Sequence, residues 1–187
     1  MNKSAKRIAR KEIFQGKIFN IAEDTIEFPN GTKAKWDVLL HDGAAAIVPI
    51  DKDGMIVLVE QYRCVKDGLI LEIPAGKLEK DEDPAICAKR ELEEETGYKA
   101  NKLIALGSIY SAVGFSDEEV KLFVASELKP GKVHLDPDEY VNVKRYTLQE
   151  IIDMILNGQI KDSKTIAAIF KLKEMMLRKM LKIKLKE

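Results

Sequence analysis

The sequence predicts a mixed α+β protein in which a small N-terminal antiparallel β-unit precedes a larger domain of sheets and helices. Three observations support this fold class: short apolar runs bounded by turn residues, two capped helix starts, and a strand-rich order with helices interspersed. The chain has 187 residues, of which 45% are hydrophobic and 33% charged, so one domain with a small appendage is expected. We expect the β-unit to occupy residues 1–42 and the larger domain residues 43–187.

The strands are predicted from β-favouring runs that lie between turns. Two runs flank the turn sequence Pro-Asn-Gly at 29–31, so together they form the antiparallel unit. Apolar runs before and after the turn Asp-Lys-Asp-Gly at 51–54 are typical of buried strands. The predicted strand regions are 11–28, 33–41, 44–50, 55–63, 69–75, 103–110, 119–128 and 140–146.

Three helices are predicted, two of them from their caps. Asp83 followed by Pro84 is an N-cap with proline at the first helical position, and Gly97 is a natural stop for this helix. Thr147 and Glu150 form a capping box for a second helix, which ends near residue 157. A C-terminal helix is expected to run from about Ser163 into the basic tail.

Composition excludes several classes of function. Lys+Arg and Asp+Glu both number 31, which argues against a dedicated nucleic-acid binder. No run of 18 apolar residues is present, so no membrane span is expected. Two scattered cysteines, Cys64 and Cys87, suit a reducing cytoplasm and provide no disulfide framework.

The segment AGKLEKDEDPAICAKRELEEETGY, residues 75–98, concentrates acidic residues on one short helix. At 100° per residue, Glu91, Glu94 and Glu95 share one face, and Arg90 lies on its flank, where it can orient a carboxylate through a forked hydrogen bond. Because the neighbouring carboxylates repel one another, a compensating positive charge is expected. Oxygen ligands on a rigid helix suit a hard cation such as Mg²⁺ or Mn²⁺. The alternative is a solvated charged face, which is what most acidic runs are.

The spacing of residues in this segment favours a metal site over a solvated charged face. Gly76, then Glu82, then the run Arg90-Glu-Leu-Glu-Glu-Glu-Thr-Gly-Tyr98 resembles the Nudix box in every defining position. The resemblance implies the Nudix fold, a mixed sheet sandwiched between helices, and hydrolysis of a nucleoside diphosphate linked to another group. It also implies a set of metal ligands: Glu91, Glu94, Glu95, nearby Glu82 and the carbonyl of Ala75.

Motifs outside the box resemble the ADP-ribose pyrophosphatase branch: EQYR (60–63), LEIPAG (71–76), GFSDE (114–118) and HLDPDEYVNV (134–143). By this resemblance the protein is a homodimer whose N-terminal unit completes the partner's adenine pocket. Trp36 could stack on adenine there, or be a core or interface aromatic.

The same resemblance assigns roles to single residues outside the metal set. Arg63 would bind a substrate phosphate, Glu139 would activate water, with Asp136 and Asp138 as rivals, and Glu118 would line the site. Gly76 allows a sharp turn beside the acidic helix. Val113 stands where this branch often carries proline, which leaves the identity of the second moiety open.

The predicted activity is metal-dependent hydrolysis of a nucleotide sugar, first of all ADP-ribose to AMP and ribose 5-phosphate. The alternatives are the same chemistry on GDP-mannose, a UDP-sugar or a dinucleotide, and a non-catalytic nucleotide sensor. The expected partner is this small-molecule substrate, without nucleic acid or membrane.

Overall fold

The computed structural model describes residues 4–135 and 140–186, which form ten strands, three α-helices and a short 3₁₀ helix at Cys64–Lys66. The strands are β1 (Lys6–Gln15), β2 (Asn20–Glu27), β3 (Lys33–Leu40), β4 (Ala44–Pro49), β5 (Ile56–Arg63), β6 (Gly68–Glu72), β7 (Ala75–Lys77), β8 (Tyr98–Tyr110), β9 (Glu119–Pro130) and β10 (Val141–Tyr146). The helices are α1 (Pro84–Thr96), α2 (Leu148–Leu156) and α3 (Ser163–Leu177).

The chain divides into two compact units. The smaller unit contains Met1–Gly43 together with Tyr110–Glu119, and the larger contains Ala44–Ile109 together with Val120–Glu187. The smaller unit therefore takes a segment from the middle of the chain as well as the N-terminal residues, which the sequence does not indicate. Leu39 and Phe115 join these two parts, because the Leu39 amide donates to the Phe115 carbonyl at 2.7 Å.

The smaller unit is an antiparallel sheet in the order β1-β2-β3. The prediction of one extended run over 11–28 is wrong, because this region contains two strands and the first begins already at Lys6. The chain reverses at Gly16, whose amide donates to the Phe19 carbonyl at 3.1 Å. A Cβ at Gly16 would lie 2.7 Å from that oxygen, so the turn requires glycine although its sequence carries no strong turn signal.

In the larger unit, helices cover both faces of a mixed sheet with the order β7-β4-β9-β8. Strand β4 is buried throughout, and its side chains alternate between two cores. Ala45 and Ile47 pack in one core with Leu92 of α1, whereas Val48 packs in the other with Ile169 of α3. A second sheet, β10-β5-β6, completes the unit. The predicted mixed α/β/α fold is thus confirmed.

The predicted strand 69–75 is in fact two strands in different sheets. Strand β6 pairs with β5, whereas β7 pairs with β4. Between them, the Ile73 amide donates to Thr165 Oγ1 at 2.9 Å, and the Pro74 carbonyl accepts from the Ile47 amide at 2.9 Å. Proline cannot donate a ladder hydrogen bond, so the crossing from one sheet to the other occurs beside it.

The cap signals of the first two helices are confirmed, but the third helix is shorter than predicted. Asp83 caps α1, Gly97 ends it at φ 71°, and the capping box of Thr147 and Glu150 opens α2. Helix α3 ends at Leu177, near Lys179 at φ 58°, and an irregular segment follows. Its apolar residues Leu181, Ile183 and Leu185 belong to the core, which explains why helical periodicity fails there.

Candidate active site

Helix α1 places the acidic residues of the predicted site at the edge of the core. Asp83 Oδ1 accepts hydrogen bonds from the amides of Ala85 at 2.8 Å and Ile86 at 3.3 Å, which fixes the first turn. The buried face of α1 packs Ala88 and Leu92 against β4. Because this face is held by the sheet, the carboxylates on the other side project from a rigid element.

Arg90 lies at the centre of a cluster of three carboxylates. Its Nε and Nη2 donate to Glu82 Oε1 and Oε2, both at 2.9 Å, which is a forked pair of hydrogen bonds. Its Nη1 donates to Glu91 Oε1 at 2.6 Å and to Glu94 Oε2 at 3.0 Å. One guanidinium therefore faces three acidic groups, and the cluster carries a formal excess of negative charge.

Besides the three carboxylates, Arg90 contacts a backbone carbonyl and a cysteine thiol. The Lys77 carbonyl accepts from Arg90 Nη2 at 3.2 Å, and the buried Cys87 thiol lies 3.4 Å from the same nitrogen. Gly76 of strand β7 lies directly beside Glu91, since a Cβ at Gly76 would overlap the Glu91 carboxylate. Only glycine at position 76 leaves room for the Glu91 carboxylate in this position, whether or not it also allows a turn.

The electrostatics of the cluster follow from these contacts. The hydrogen bonds from Arg90 lower the pKa of Glu82 to about 2, so this carboxylate is ionised at neutral pH. The pKa of Arg90 is raised above its ordinary value, first by its hydrogen bonds to Glu82. Burial raises the pKa of the Cys87 thiol to about 12, so the sulfur is a neutral thiol.

Glu95 is the most buried acid of α1, with 4% of its surface exposed. Burial acts to lower the pKa of Arg63, but the hydrogen bond and charge of Glu72, with smaller effects of the charges of Glu95 and Asp162, raise this pKa above its ordinary value. Glu95 and Arg63 are thus within electrostatic reach of each other.

A divalent cation fits the chemistry of this donor set. The three acids that contact Arg90 offer carboxylate oxygens, which hard cations prefer, and their negative charge exceeds the single positive charge of Arg90. Within residues 4–135 and 140–186, however, no three His, Cys, Asp or Glu side chains already surround one point as ligands of a single ion. Glu91 Oε1 and Glu94 Oε2 accept hydrogen bonds from Arg90 Nη1, so one oxygen of each carboxylate is engaged with this arginine.

Arg63 lies at the end of β5 and is held by a residue that the sequence prediction did not include. Its Nε donates to Glu72 Oε1 at 2.7 Å, and Glu72 is 2% exposed. Lys164 of α3 forms an ion pair with the other Glu72 oxygen. The sequence signal for this pairing is a single acid at the end of the apolar strand β6, because a buried charge requires a partner.

The remaining predicted residues do not lie on α1 or β7. Trp36 on β3 is 51% exposed and makes an edge-to-face contact with Phe28, with ring centroids 6.0 Å apart. Glu118 lies in the smaller unit, where its Oε1 is 3.9 Å from His41 Nδ1. Glu139 and its rivals, Asp136 and Asp138, lie outside the described residues.

The segment that leads toward residue 136 is attached to the end of α1. The Gly131 amide donates to the Gly97 carbonyl at 2.7 Å, and the His134 amide donates to the Glu94 carbonyl at 3.1 Å. Between them, Glu93 Oε1 accepts from the Lys132 amide at 3.2 Å. Glu93 points away from the carboxylate cluster and instead holds this segment to the helix.

Among the described residues, no helix combines the length and apolar character that crossing a membrane requires.

Comparison with known proteins identifies the class to which this site belongs. The NUDIX domain family model matches residues 40–169, and this range contains the whole acidic segment. The chain therefore belongs to the NUDIX family.

Three known proteins show how close the relationship is. The chain is 42% identical over 166 residues to the ADP-ribose pyrophosphatase of Bacillus subtilis (strain 168), covering 88% of this chain and 90% of that protein. It is 43% identical over 166 residues to the methanol dehydrogenase activator of Bacillus methanolicus, with the same coverage. A crystal structure of an ADP compounds hydrolase superposes with a TM-score of 0.83 over 94% of this chain and 95% of that one, at 22% identity, which supports the fold.

Proposed function

We propose that this NUDIX protein is a metal-dependent pyrophosphatase that cleaves ADP-ribose to AMP and ribose 5-phosphate. The observation that carries the proposal is the convergence of Glu82, Glu91 and Glu94 on Arg90 beside Gly76. The similarity to an ADP-ribose pyrophosphatase over most of both chains supports the choice of substrate.

We propose Mg²⁺ or Mn²⁺ as the cofactor, held by oxygen atoms of five residues. When bound, a divalent cation neutralises the diphosphate and makes an attacking water more acidic. Arg90 orients the carboxylates through its forked contact with Glu82 and keeps like charges together that would otherwise separate. The proposed ligands are Glu91, Glu94, Glu95, Glu82 and the carbonyl oxygen of Ala75.

The chain's other candidate residues bind and orient the substrate. Arg63, held at Nε by Glu72, offers the rest of its planar guanidinium to a phosphate oxygen. Gly76 keeps the backbone close to Glu91. Glu118, in the smaller unit, stays a proposed substrate contact. Glu139 is proposed as the base that takes a proton from the attacking water.

We also propose a homodimer and a cytoplasmic location. Several large apolar side chains of the smaller unit are exposed, including Ile13 at 54%, Phe14 at 53% and Trp36 at 51%, and an exposed apolar face is typical of an interface. In a dimer, Trp36 would contact the adenine bound by the partner subunit. Both cysteines are free thiols, which suits a reducing compartment.

The proposal is tested by product analysis with the purified chain. ADP-ribose, GDP-mannose, a UDP-sugar and a dinucleotide are each incubated with Mg²⁺, with Mn²⁺ and with EDTA, and the products are separated. Metal-dependent release of AMP and ribose 5-phosphate, faster than any other cleavage, is the expected result. Binding of ADP-ribose without cleavage would favour a sensor instead, and faster cleavage of GDP-mannose would change the substrate.

A further inference from the structure

A cavity of about 620 Å³ in the larger unit lies between the end of β5, the start of β6 and the residues before α3. Its apolar wall is formed by Val65, Leu69 and Ile70. Its volume lies within the usual range for small-molecule sites, which is about 300–1,000 Å³. Arg63, the proposed phosphate-binding residue, also lines it.

The floor of the cavity is a network of paired charges. Glu72 accepts from Arg63 and from Lys164, and Lys164 Nζ also donates to Asp162 Oδ1 at 3.0 Å. Asp162 in addition accepts from the Thr165 amide at 2.9 Å, which caps α3. Both carboxylates of the floor are therefore already engaged with internal partners, and two cations balance two anions.

Two further lysines at the rim have no such balance. Lys66 and Lys161 line the same cavity and are exposed, and among the described residues neither forms an ion pair. Four cationic and two anionic side chains thus line the cavity, which gives it a formal charge of +2. A cavity with an excess of positive charge and apolar walls concentrates the electric field, and it therefore raises the local concentration of anions.

We propose that this cavity binds a sugar phosphate, with Lys66 and Lys161 binding its anionic group and the apolar wall contacting the sugar. Two features favour this ligand over a bare ion: the volume exceeds what one phosphate fills, and one wall is apolar. The Nε of Arg63 is fixed by buried Glu72, so the direction of its guanidinium is set before any ligand arrives.

The choice of ribose phosphate as the sugar phosphate rests on the proposed function. Arg63 lines the cavity and is the residue proposed to bind a substrate phosphate. A diphosphate bound by Arg63 can therefore place its sugar in the cavity. Two ligands would present the same sugar phosphate group to the cavity. One is the ribose phosphate part of bound ADP-ribose, and the other is a free sugar phosphate.

The test is a calorimetric titration of the full chain with ribose 5-phosphate in EDTA at low salt, where no turnover occurs. The double variant Lys66→Ala/Lys161→Ala is compared with Lys182→Ala, which removes an exposed lysine that does not line the cavity. The double variant should raise the Kd at least about tenfold, whereas Lys182→Ala should leave it unchanged. Uncharged ribose should bind at least about tenfold more weakly than ribose 5-phosphate.

The proposal is overturned if ribose 5-phosphate does not bind, or if the double variant binds it as the parent does. Equal weakening by Lys182→Ala would also overturn it, because the effect would then reflect net charge alone. The proposed function fails separately: a chain that binds ribose 5-phosphate but releases no AMP from ADP-ribose with Mg²⁺ contradicts only that function.

A competition titration identifies the source of the ligand. If ADP-ribose in EDTA displaces ribose 5-phosphate, the cavity takes the second half of the substrate. If both bind at once, the cavity takes a free sugar phosphate. Both results support the cavity as the site.

Discussion

Two arginines in this protein make the same forked contact with an acid, but in different charge environments. In the smaller unit, Arg10 Nε and Nη2 donate to Asp24 Oδ1 and Oδ2, both at 2.7 Å. In the larger unit, Arg90 makes the corresponding pair with Glu82 at 2.9 Å. Both acids are nearly buried, with 6% and 10% of their side chains exposed.

The difference lies in the balance of charge around each pair. Asp24 has a second cation, Arg7, at 3.5 Å, so two arginines face one acid. Arg90 instead faces three acids, since Glu91 and Glu94 also contact it. The first pair satisfies its own acid and has a structural role, whereas the second leaves negative charge that a bound cation can neutralise. The same local geometry therefore serves two purposes, and the surrounding charge decides which.

The largest expected effect comes from removing one acid of the Arg90 cluster. Glu94→Gln keeps the size and one hydrogen-bond acceptor but removes a charge, so turnover of ADP-ribose should fall more than about 100-fold. The free energy of unfolding should change little, because Glu94 is one-third exposed. The matched control is Glu174→Gln on α3, an exposed acid paired with Arg178, which should keep turnover within about threefold. Equal rates for the parent and Glu94→Gln would contradict the site.

Removing each arginine in turn tests the comparison directly. Arg90→Ala removes the guanidinium that contacts three acids and should lower the free energy of unfolding by about 2 kcal/mol, against about 1 kcal/mol for Arg10→Ala. Adding Mg²⁺ should raise the Tm of Arg90→Ala more than that of Arg10→Ala, because the cation replaces the missing positive charge only at the acidic cluster. Thermal unfolding with and without Mg²⁺ measures both. Equal Mg²⁺-induced shifts would mean that the cluster does not bind the ion.

A smaller effect is expected from Gly76→Ala. The added methyl group would overlap the Glu91 carboxylate, which must then leave its contact with Arg90. Turnover should fall about 10–100-fold, the usual cost of displacing a group that orients metal ligands. Because alanine is compatible with the β7 pairing, the strand should persist, and circular dichroism should remain unchanged. Full activity of this variant would show that the position of Glu91 is unimportant.

The sequence predicted α1 well because its signals are local. The Asp83 cap, the Gly97 stop and the carboxylate face depend only on neighbouring residues, and the cap and stop appear as expected. The resemblance to the Nudix box added the family, which the comparison confirmed. The prediction of Arg63, Trp36 and Glu118 as substrate contacts stays a prediction.

Features that depend on distant pairing were not predictable. Glu72 meets Lys164 across 92 residues of sequence, and Ile73 meets Thr165 across the same separation. The smaller unit combines Leu39 with Phe115 for the same reason. Single-sequence patterns contain no information on which distant residues meet, so a lone buried acid such as Glu72 predicts a partner without identifying it.

The smallest expected effect concerns Asp24, the acid that is paired with two arginines. The hydrogen bonds from Arg10 hold the pKa of Asp24 below its ordinary value of 3.8, so folding favours the charged carboxylate. The stabilisation is complete above this ordinary value and is lost as the pH falls toward the lower pKa of the folded state. Relative to Asp24→Asn, the parent should be about 1 kcal/mol more stable at pH 7, and this difference should shrink below pH 3.8. Urea unfolding of both proteins across this range measures it. A difference that stays constant with pH would show that the Asp24 charge does not stabilise the fold. The structural role assigned to the Arg10–Asp24 pair, and with it the contrast with the Arg90 cluster, would then be wrong.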